Sequence, residues 1–526
     1  MLCKIDDLPD EILEYILSLI PPYKNLQECT LVSKRWYRAT RNVIEHSEAH
    51  FHKAVGLGSL FWKTWPEAEW VPTIGKRHSH SACTYENSMY VFGGCTATCT
   101  TFNDLWRLDL DTRKWVRPIT MGSYPSPKAC TTMLYYKKNL ILFGGWSHPS
   151  PYPLHQQWKL FNELHVYSIE LNRWTAINAL ESPPPRSAHS ASIHGNLMVI
   201  FGGVCEGDSS NEVWCLNLDT YSWHEQTTST LKPPPRYGQS QIELDSTHLL
   251  ILGGCTGPNV AMNDAWLLTM GNSNWVWRKV NMLHSTCAPI RIWCHQACKV
   301  GDYVIVLGKN KQMSQPNDMS ISMGKNACQR PTSSQGQEPI PLFERRRNLV
   351  QVDRDENVNG RRGSFPRSSM PIPHSPSLGS KHQKSLPAHE ENTLGMAAFR
   401  EELPRSRHNA NRQRQLESLR RMEQRIQNRK TQSKMVKKPE NTLAIYVLDI
   451  SKILSEECIA SWIPLKQNGQ AGPDERILYS MVLGRGELIV FGGIRKEHMK
   501  NQAQTGSDDS EVYNDLHFIN PLRYVV

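Results

Sequence analysis

The sequence predicts an all-β fold made of six copies of one unit, with a short helical segment before the copies and a long insertion in the fifth. The first observation is an apolar, strand-like run that ends in glycine, usually a Gly-Gly pair, with first glycines at 93, 144, 202, 253, 308 and 492. The second is the order that follows: a polar turn, an alternating strand and then Trp, as in YVFGGCTATCTTFNDLWRLDLDTRKW at 90–115. The third is the spacing, since consecutive first glycines differ by 51, 58, 51 and 55 residues before one interval of 184.

A repeat of this length and content resembles the Kelch repeat, in which each unit forms one four-stranded blade of a β-propeller. The glycines suit that arrangement, because the missing Cβ allows a tight bend and a close approach between blades. The Trp supplies a large apolar surface for the gap between neighbouring sheets. The resemblance implies a six-bladed Kelch β-propeller, with repeats one to four and the start of five at 77–308 and the remainder at 442–526.

The segment 46–76 is predicted to be a linker that includes one strand of the propeller. A flexible linker is usually polar, but this one contains Phe61, Trp62, Trp65 and Trp70. Trp65 stands 12 residues before Arg77, the same spacing as Trp174 before Arg186, and the last repeat has no such Trp. We therefore expect the strand near Trp65 to complete the sixth blade, which would remove two free sheet edges.

The composition is typical of a folded protein in a reducing compartment. Of the 526 residues, 39% are hydrophobic and 16 are Trp, enough for a sizeable core. The 14 Cys, without a signal-like N-terminus, are expected to be reduced thiols in a cytoplasmic and/or nuclear protein. No apolar run approaches the roughly 20 residues of a membrane-spanning helix, so no membrane partner is expected.

The insertion, residues 309–441, is predicted to be disordered, because it is rich in polar residues and poor in aromatic ones. It holds 26 Lys and Arg against 13 Asp and Glu, a net charge of +13, so the total of +10 leaves −3 for the rest of the chain. Residues 411–430 would place apolar side chains on one stripe of a transient helix, which either binds a partner or is only a solvated, charged helix. The lysines at 434–438 fit nuclear import or loose nucleic-acid contact, but no interleaved aromatic residues predict specific nucleic-acid binding.

Residues 1–45 are predicted to form a small helical segment. Asp7 is a candidate cap for a first helix, with Pro9 in its first turn. Apolar residues then recur at helical spacing until Pro21–Pro22 end the helix. A second helix would carry Val32 and Trp36. So short a segment cannot bury an apolar face alone, so it either packs on the repeats or binds a partner.

The string LPDEI at 8–12, the Pro-Pro break and LVSKRW at 31–36 resemble an F-box. The resemblance implies docking on Skp1 and, through Skp1, on the cullin and RING subunits of an SCF ubiquitin ligase. The residues it assigns to the Skp1 contact are Leu8, Pro9, Ile12, Leu13, Ile16, Leu17, Leu31, Val32 and Trp36.

A basic residue opens each repeat, 16 or 17 positions before the first glycine. These residues are Arg77, Lys128, Arg186, Arg236, Arg291 and Arg476. A propeller would place them near one mouth of its central channel. One interpretation is that each pairs with an acidic side chain of a neighbouring blade. The other is a cationic rim that binds an acidic or phosphorylated segment of a protein substrate, since Arg matches carboxylate and phosphate in a bidentate manner.

The sequence does not predict an enzyme, a metal site or a cofactor. The tight Cys clusters, Cys95-x3-Cys99 and Cys294-His295-x2-Cys298, lack a second pair at zinc-finger spacing. No nucleophile elbow, HExxH motif or phosphate-binding glycine loop appears. An F-box before Kelch repeats implies the substrate-recognition subunit of an SCF-type ligase. The alternatives are a binding scaffold whose Skp1 contact does not lead to ubiquitination and, less directly, a propeller enzyme.

Overall fold

The computed structural model describes residues 5, 8–66, 73–148, 158–257, 260–271, 274–310, 442–465, 472–495 and 511–522. Within them, helices near the N-terminus precede a chain that is mostly β-strand, as predicted. Three α-helices are described where two were predicted, and Val32, expected on the second, lies between helices. The insertion predicted to be disordered spans 309–441, and its first residue, Lys309, instead ends a β-strand, Tyr303–Lys309. Residues 311–441 lie outside the described part, as does Trp70. No helix in the described ranges has the length and apolar character needed to cross a membrane.

The helices are α1 (Asp10–Ser18), α2 (Lys24–Cys29) and α3 (Lys34–Leu57). Pro9 stands immediately before α1 and not in the predicted position within its first turn, and it provides no side-chain cap. Asp7, the predicted cap, lies outside the described residues. The Oγ atom of Ser33 accepts a hydrogen bond from the backbone N–H of Trp36 and caps α3. The α3 helix runs past residue 45, where the helical segment was expected to end. Its later turns carry the buried Phe51, Ala54 and Val55, which pack against strands of the repeats.

The strands are numbered in chain order. In the first half of the chain they are β1 (Leu60–Trp65), β2 (Ser81–Tyr85), β3 (Ser88–Phe92), β4 (Leu105–Asp109), β5 (Lys114–Val116), β6 (Met121–Gly122), β7 (Thr132–Tyr136), β8 (Asn139–Phe143), β9 (Trp146–Ser147), β10 (Lys159–Leu160), β11 (Leu164–Ser168), β12 (Arg173–Ile177), β13 (Arg186–Ser187), β14 (Ser190–His194), β15 (Leu197–Phe201), β16 (Val204–Cys205), β17 (Asp208–Ser209), β18 (Val213–Asn217) and β19 (Ser222–Glu225). In the second half they are β20 (Ser240–Glu243), β21 (His248–Leu252), β22 (Ala265–Met270), β23 (Trp275–Lys279), β24 (Asn281–Leu283), β25 (Ala297–Val300), β26 (Tyr303–Lys309), β27 (Leu443–Asp449), β28 (Ile459–Trp462), β29 (Arg476–Ile477), β30 (Ser480–Leu483), β31 (Leu488–Phe491), β32 (Ile494–Arg495) and β33 (Leu516–Pro521).

In the described ranges these strands form six sheets of four or five strands, joined by short two- and three-stranded ribbons. We number the sheets I to VI by their innermost strands, which are β2, β7, β14, β20, β25 and β30. Each innermost strand lies beside that of the next sheet, and β30 of sheet VI lies beside β2 of sheet I. Sheets II and V gain a fifth strand where the incoming connection, β6 or β24, runs parallel to the outer strand.

Sheet VI is assembled from distant parts of the chain. Its outer strand is β1, which pairs antiparallel with β33 from Leu60 opposite Pro521 to Trp65 opposite Leu516. Trp65 packs edge-on against Phe518, with ring centroids 6.3 Å apart. The segment around Trp65 thus supplies the fourth strand of a sheet whose other three strands lie after residue 479.

A closed ring of backbone hydrogen bonds joins the six repeats. Six residues contribute one N–H and one carbonyl each, and all have φ between 52° and 64°. The N–H···O distances are Ser79 to Leu478 2.9 Å, Leu478 to Cys294 3.2 Å, Cys294 to Gly238 2.7 Å, Gly238 to Ala188 2.9 Å, Ala188 to Cys130 3.1 Å and Cys130 to Ser79 2.8 Å. These six residues, which we call the backbone ring, come just before the innermost strands.

Backbone conformation and close packing require glycine at the Gly-Gly pairs. Gly93 and Gly94 have φ of 65° and 86°, and a Cβ on Gly93 would lie 2.5 Å from the carbonyl oxygen of Lys128 in the next repeat. Repeat five departs from this pattern. Its Gly308 continues strand β26 and pairs with Ala444, so the chain does not bend there.

Antiparallel pairing gives every sheet two different ends. Turns between the first and second strands, and between the third and fourth, lie at one end, which we call the turn face. Connections between the second and third strands, and between sheets, lie at the other end, which we call the loop face. The backbone ring and the Gly-Gly pairs are on the loop face.

Candidate functional site

An apolar surface is exposed on the helical segment. Leu31 and Val32, between α2 and α3, are 84% and 60% exposed. Ile12 on α1 is also exposed, as is Pro9 immediately before it. These four were predicted to contact Skp1. The other predicted residues that retain some exposure are Leu8, Ile16 and Trp36, which are partly buried.

Two predicted contact residues lie in the interior instead. Leu13 and Leu17 have no exposed surface and form the core of the helical segment with Leu26, Ala39 and Val43. The expectation that Leu13 and Leu17 touch a partner is therefore wrong. They lie on the face of α1 that packs on α3, so helical spacing alone did not separate the inner stripe from the outer one.

A buried cluster attaches the helices to the turn face. Tyr23, between α1 and α2, is fully buried, and its hydroxyl donates to the carboxylate of Glu487 in the β30–β31 turn. The guanidinium of Arg113, from the β4–β5 turn, donates to the same carboxylate at 2.7 Å. The Arg113 Cζ atom lies 5.4 Å from the Tyr23 ring centroid and 4.0 Å from that of Phe518. We call Tyr23, Glu487 and Arg113 the junction; burial raises the pKa of Tyr23 far above its ordinary value, so the hydroxyl stays a donor.

Further contacts hold the helices on the turn face. The backbone N–H groups of Lys24 and Asn25 donate to the Asp111 carboxylate in the β4–β5 turn, at 3.0 and 3.4 Å. Phe51 and Val55 of α3 share a hydrophobic cluster with residues of sheets V and VI. The helical segment is therefore packed on the turn face, and the loop face lies at the opposite end of the strands.

The predicted cationic rim is not on the surface. Arg77, Lys128, Arg186, Arg236 and Arg476 are all buried. Each forms an ion pair with an acidic residue later in its own repeat, not in a neighbouring blade. The acidic partners are, in the same order, Asp104, Glu163, Glu212, Asp264 and Asp515. The interpretation of these five residues as a substrate-binding rim is therefore wrong.

The repeated ion pair holds the loop-face connections together. Arg236 donates to both carboxylate oxygens of Asp264, at 2.7 and 3.1 Å, and to the carbonyl of Gly253 at 3.0 Å. Burial alone would raise the pKa of Asp264, but the hydrogen bonds and charge of Arg236 outweigh it and hold that pKa below its ordinary value. Burial would also raise the pKa of Asp515. Hydrogen bonds from His517 and Arg476 outweigh that effect and lower the pKa of Asp515 to about 2.

The sixth predicted rim residue, Arg291, is exposed and one position out of register. The backbone N–H of Gly254 donates to the carbonyl of Ile292 at 2.7 Å, whereas Gly203 donates to that of Arg236 in the repeat before. Ile292 thus occupies the place of the buried cation in repeat five, and it is buried. Arg291 precedes it and makes no ion pair with any described residue.

The cysteines of the described ranges are free thiols. Cys95 lies 3.4 Å from Nε2 of His78, and burial raises the pKa of its thiol. Burial likewise raises the pKa of Cys298 to about 12. Among the described residues, no three His, Cys, Asp or Glu side chains are grouped as they would be around a metal ion.

The junction and the partly buried Trp293 described below were not found from the sequence. Tyr23 and Glu487 are separated by 464 residues and belong to no common motif. By contrast, the acidic partners of the buried cations had a sequence signal, because each follows an Asn just before the third strand of its repeat.

Comparisons with known proteins agree with this organisation. Residues 77–275 match the family model described as "FBX42, beta-propeller domain", and residues 5–44 match the one described as "F-box-like". Kelch domain-containing protein 2 of Bos taurus is 30% identical over 248 residues, which are 42% of this chain and 58% of that protein. Kelch domain-containing protein 1 of Mus musculus is 27% identical over 264 residues, 46% of this chain and 63% of that protein. Kelch domain-containing protein 3 of Homo sapiens is 26% identical over 281 residues, 50% and 69% respectively. The match thus spans less than two thirds of the first two relatives' own length.

Proposed function

This chain is an F-box and Kelch-repeat protein, and on that premise we propose that it is the substrate-recognition subunit of an SCF-type ubiquitin ligase. The exposed apolar surface of the helical segment binds Skp1, and through Skp1 the cullin and RING subunits. The propeller binds the protein substrate. The chain itself is not an enzyme in this proposal, since the ubiquitin transfer is carried out by other subunits.

The observation that carries the proposal is the exposure of Leu31 and Val32, between α2 and α3, on a helical segment that has its own buried core. Leu13 and Leu17 fill the core of the helical segment, whereas Leu31 and Val32 remain outside that core and exposed. Exposed aliphatic side chains grouped on a small helical unit are typical of a protein-binding surface.

We further propose that the six sheets are the six blades of one closed propeller. The backbone ring supports this, because its hydrogen bonds pass through all six repeats and return to the first. The pairing of β1 with β33 supports it as well. A closed ring leaves the loop face as a continuous surface at the end opposite the helices, and we assign substrate binding to that face.

The mechanism is proximity. A client held on the loop face would have its lysines kept at high local concentration near a ubiquitin-charged enzyme carried by the cullin. The junction and α3 keep the Skp1 surface and the loop face in one orientation, which suits that role. Free thiols throughout the described ranges suit a cytoplasmic or nuclear site of action.

The test is reconstitution with purified Skp1, cullin, RING and charged E2 subunits. Leu31→Asp with Val32→Asp should abolish Skp1 binding while leaving the melting temperature unchanged, because both side chains are exposed. Leu171→Asp, at another exposed leucine on the turn face, is the matched control and should bind Skp1 normally.

Two outcomes would count against the proposal. If the double variant binds Skp1 as well as wild type does, the docking surface is misplaced. If wild type binds Skp1 and a client but no ubiquitin reaches the client, the chain is the non-catalytic scaffold that the sequence left as an alternative.

A further inference from the structure

Repeat five breaks a backbone contact that the other repeats keep. The residue just before each backbone-ring residue pairs with the one just after the Gly-Gly pair. The pairs are His78 with Cys95, Ala129 with Trp146, Ser187 with Val204, Tyr237 with Cys255 and Ile477 with Ile494. In repeat five the corresponding residue is Trp293, and no described strand or bridge pairs with it. The reason is that Gly308 and Lys309 continue strand β26 and pair with β27 instead.

Trp293 lies at the edge of an apolar cluster on the loop face. It follows Ile292, which takes the place of the buried cation, and precedes Cys294 of the backbone ring. Trp293 is partly buried and packs with Ala97 and Leu478 around a buried core. That core consists of Ile477, Ile494 and Val512. An aromatic side chain of this size, packed on an apolar core and only partly buried, is suited to receive an apolar group.

A free positive charge adjoins this tryptophan. Arg291 is two residues from Trp293, is exposed, and has no ion-pair partner among the described residues. Two charged pairs lie close to the same cluster: Lys309 pairs with Glu475 at 3.8 Å, and Arg495 pairs with Glu511 at 2.8 Å. Among the residues that the structure describes, the displacement of the basic residue by one position therefore leaves Arg291 without an ion pair, two residues before the partly buried Trp293.

From this we propose that Trp293, Leu478 and Arg291 form the primary client-binding site of the loop face. Its occupant is an extended protein segment that presents a bulky apolar side chain next to a carboxylate. The apolar group packs on Trp293 and Leu478, and the carboxylate pairs with Arg291 in a bidentate manner. The site rests on the proposed function, in which the loop face binds the client, and it adds the residues and the chemistry of recognition.

The experiment selects a phage-displayed library of random dodecapeptides on the immobilised full chain, and then measures enriched peptides by fluorescence anisotropy. We expect enriched sequences in which Trp, Phe, Leu or Met lies within two positions of Asp or Glu. Trp293→Ala should weaken their binding about 30-fold, as truncation of an aromatic anchor does at protein interfaces. Trp293→Phe should restore most of it. Arg291→Glu should weaken carboxylate-containing peptides and leave versions with Asn or Gln at that position less affected.

Matched controls lie on exposed connections away from the cluster: Val260→Ala for the apolar contact and Lys232→Glu for the charge. The site is refuted if no such sequence is enriched, if Trp293→Ala and Arg291→Glu bind the peptides like wild type, or if the controls lose binding equally. Enrichment of basic peptides would also refute it. Skp1 binding is measured on the same preparations, so an intact Skp1 contact with indifferent peptides would overturn this site and leave the proposed function standing.

Discussion

The junction predicts how strongly the helical segment and the propeller depend on each other. Replacing Tyr23 by Phe removes one hydroxyl and keeps the ring that packs beside Arg113. The lost hydrogen bond is made to the carboxylate of Glu487, which is itself buried and retains only Arg113 afterwards. Hydrogen bonds to charged groups contribute about 1.5–3 kcal/mol, and the second contact of the hydroxyl, from the Arg485 N–H at 3.4 Å, adds little. We expect Tyr23→Phe to lower the free energy of unfolding by about 2 kcal/mol.

The assay is urea unfolding of the full chain followed by tryptophan fluorescence. Because α3 shares a core with sheets V and VI, we expect one transition whose midpoint shifts with unchanged slope. Tyr15→Phe is the matched control, since Tyr15 is 57% exposed on α1 and its loss of a hydroxyl should be neutral. Equal midpoints for the two variants would refute the junction. A shift seen only in hydrogen exchange of α1 and α2 would show that the helices unfold independently.

Three further predictions follow from buried groups. Arg236→Ala should cost about 3–5 kcal/mol of stability in a thermal or urea melt, because it leaves Asp264 buried without its cation, whereas Arg291→Ala should be neutral; equal effects would contradict the assignment. Gly238→Ala should destabilise, since a Cβ would lie 2.7 Å from the Cys294 sulfur at φ of 64°, whereas Ala188→Gly in the same ring should be neutral or stabilising by up to about 1 kcal/mol; the opposite order would be inconsistent with the ring. Burial lowers the pKa of His78 and His165 to about 4, that of His189 to about 3 and that of His80 well below its ordinary value. The unfolded value is about 6.5, so the unfolded chain binds more protons as pH falls, and stability drops by about 1.4 kcal/mol per pH unit for each of these four histidines between roughly pH 6 and 4.5; a flat melting temperature across that window would contradict this.

The repeats could be predicted because their chemistry is local. Gly93 and Gly94 occupy backbone conformations that other residues rarely adopt, so the pair marks the same bend wherever it recurs. The strand at Trp65 could be located for a similar reason, since its spacing to Arg77 copies the spacing within other repeats.

The prediction of a cationic rim was wrong because sequence periodicity does not distinguish an exposed ring of charges from a buried one. A residue needed at the same place in every repeat is more often structural, and Arg186 bonded to Glu212 and the Gly202 carbonyl illustrates this. By the same reasoning, Trp293 and Arg291 are candidates for function, because they lie where repeat five departs from the pattern of the other repeats. No sequence pattern could reveal the junction, because it depends on how α1 and α2 pack against the turns of sheets I and VI.

The pairing of β1 with β33 has a consequence for synthesis of the chain. Tyr23 leaves the ribosome 464 residues before its partner Glu487, and Leu60–Trp65 must wait until Leu516–Pro521 has been made. Until then, the hydrophobic cluster that holds Phe51 and Val55 of α3 lacks Ile519 of β33. Chaperone demand should therefore be greatest late in translation, and an aborted or truncated product would leave its N-terminal helices without their anchor on the turn face.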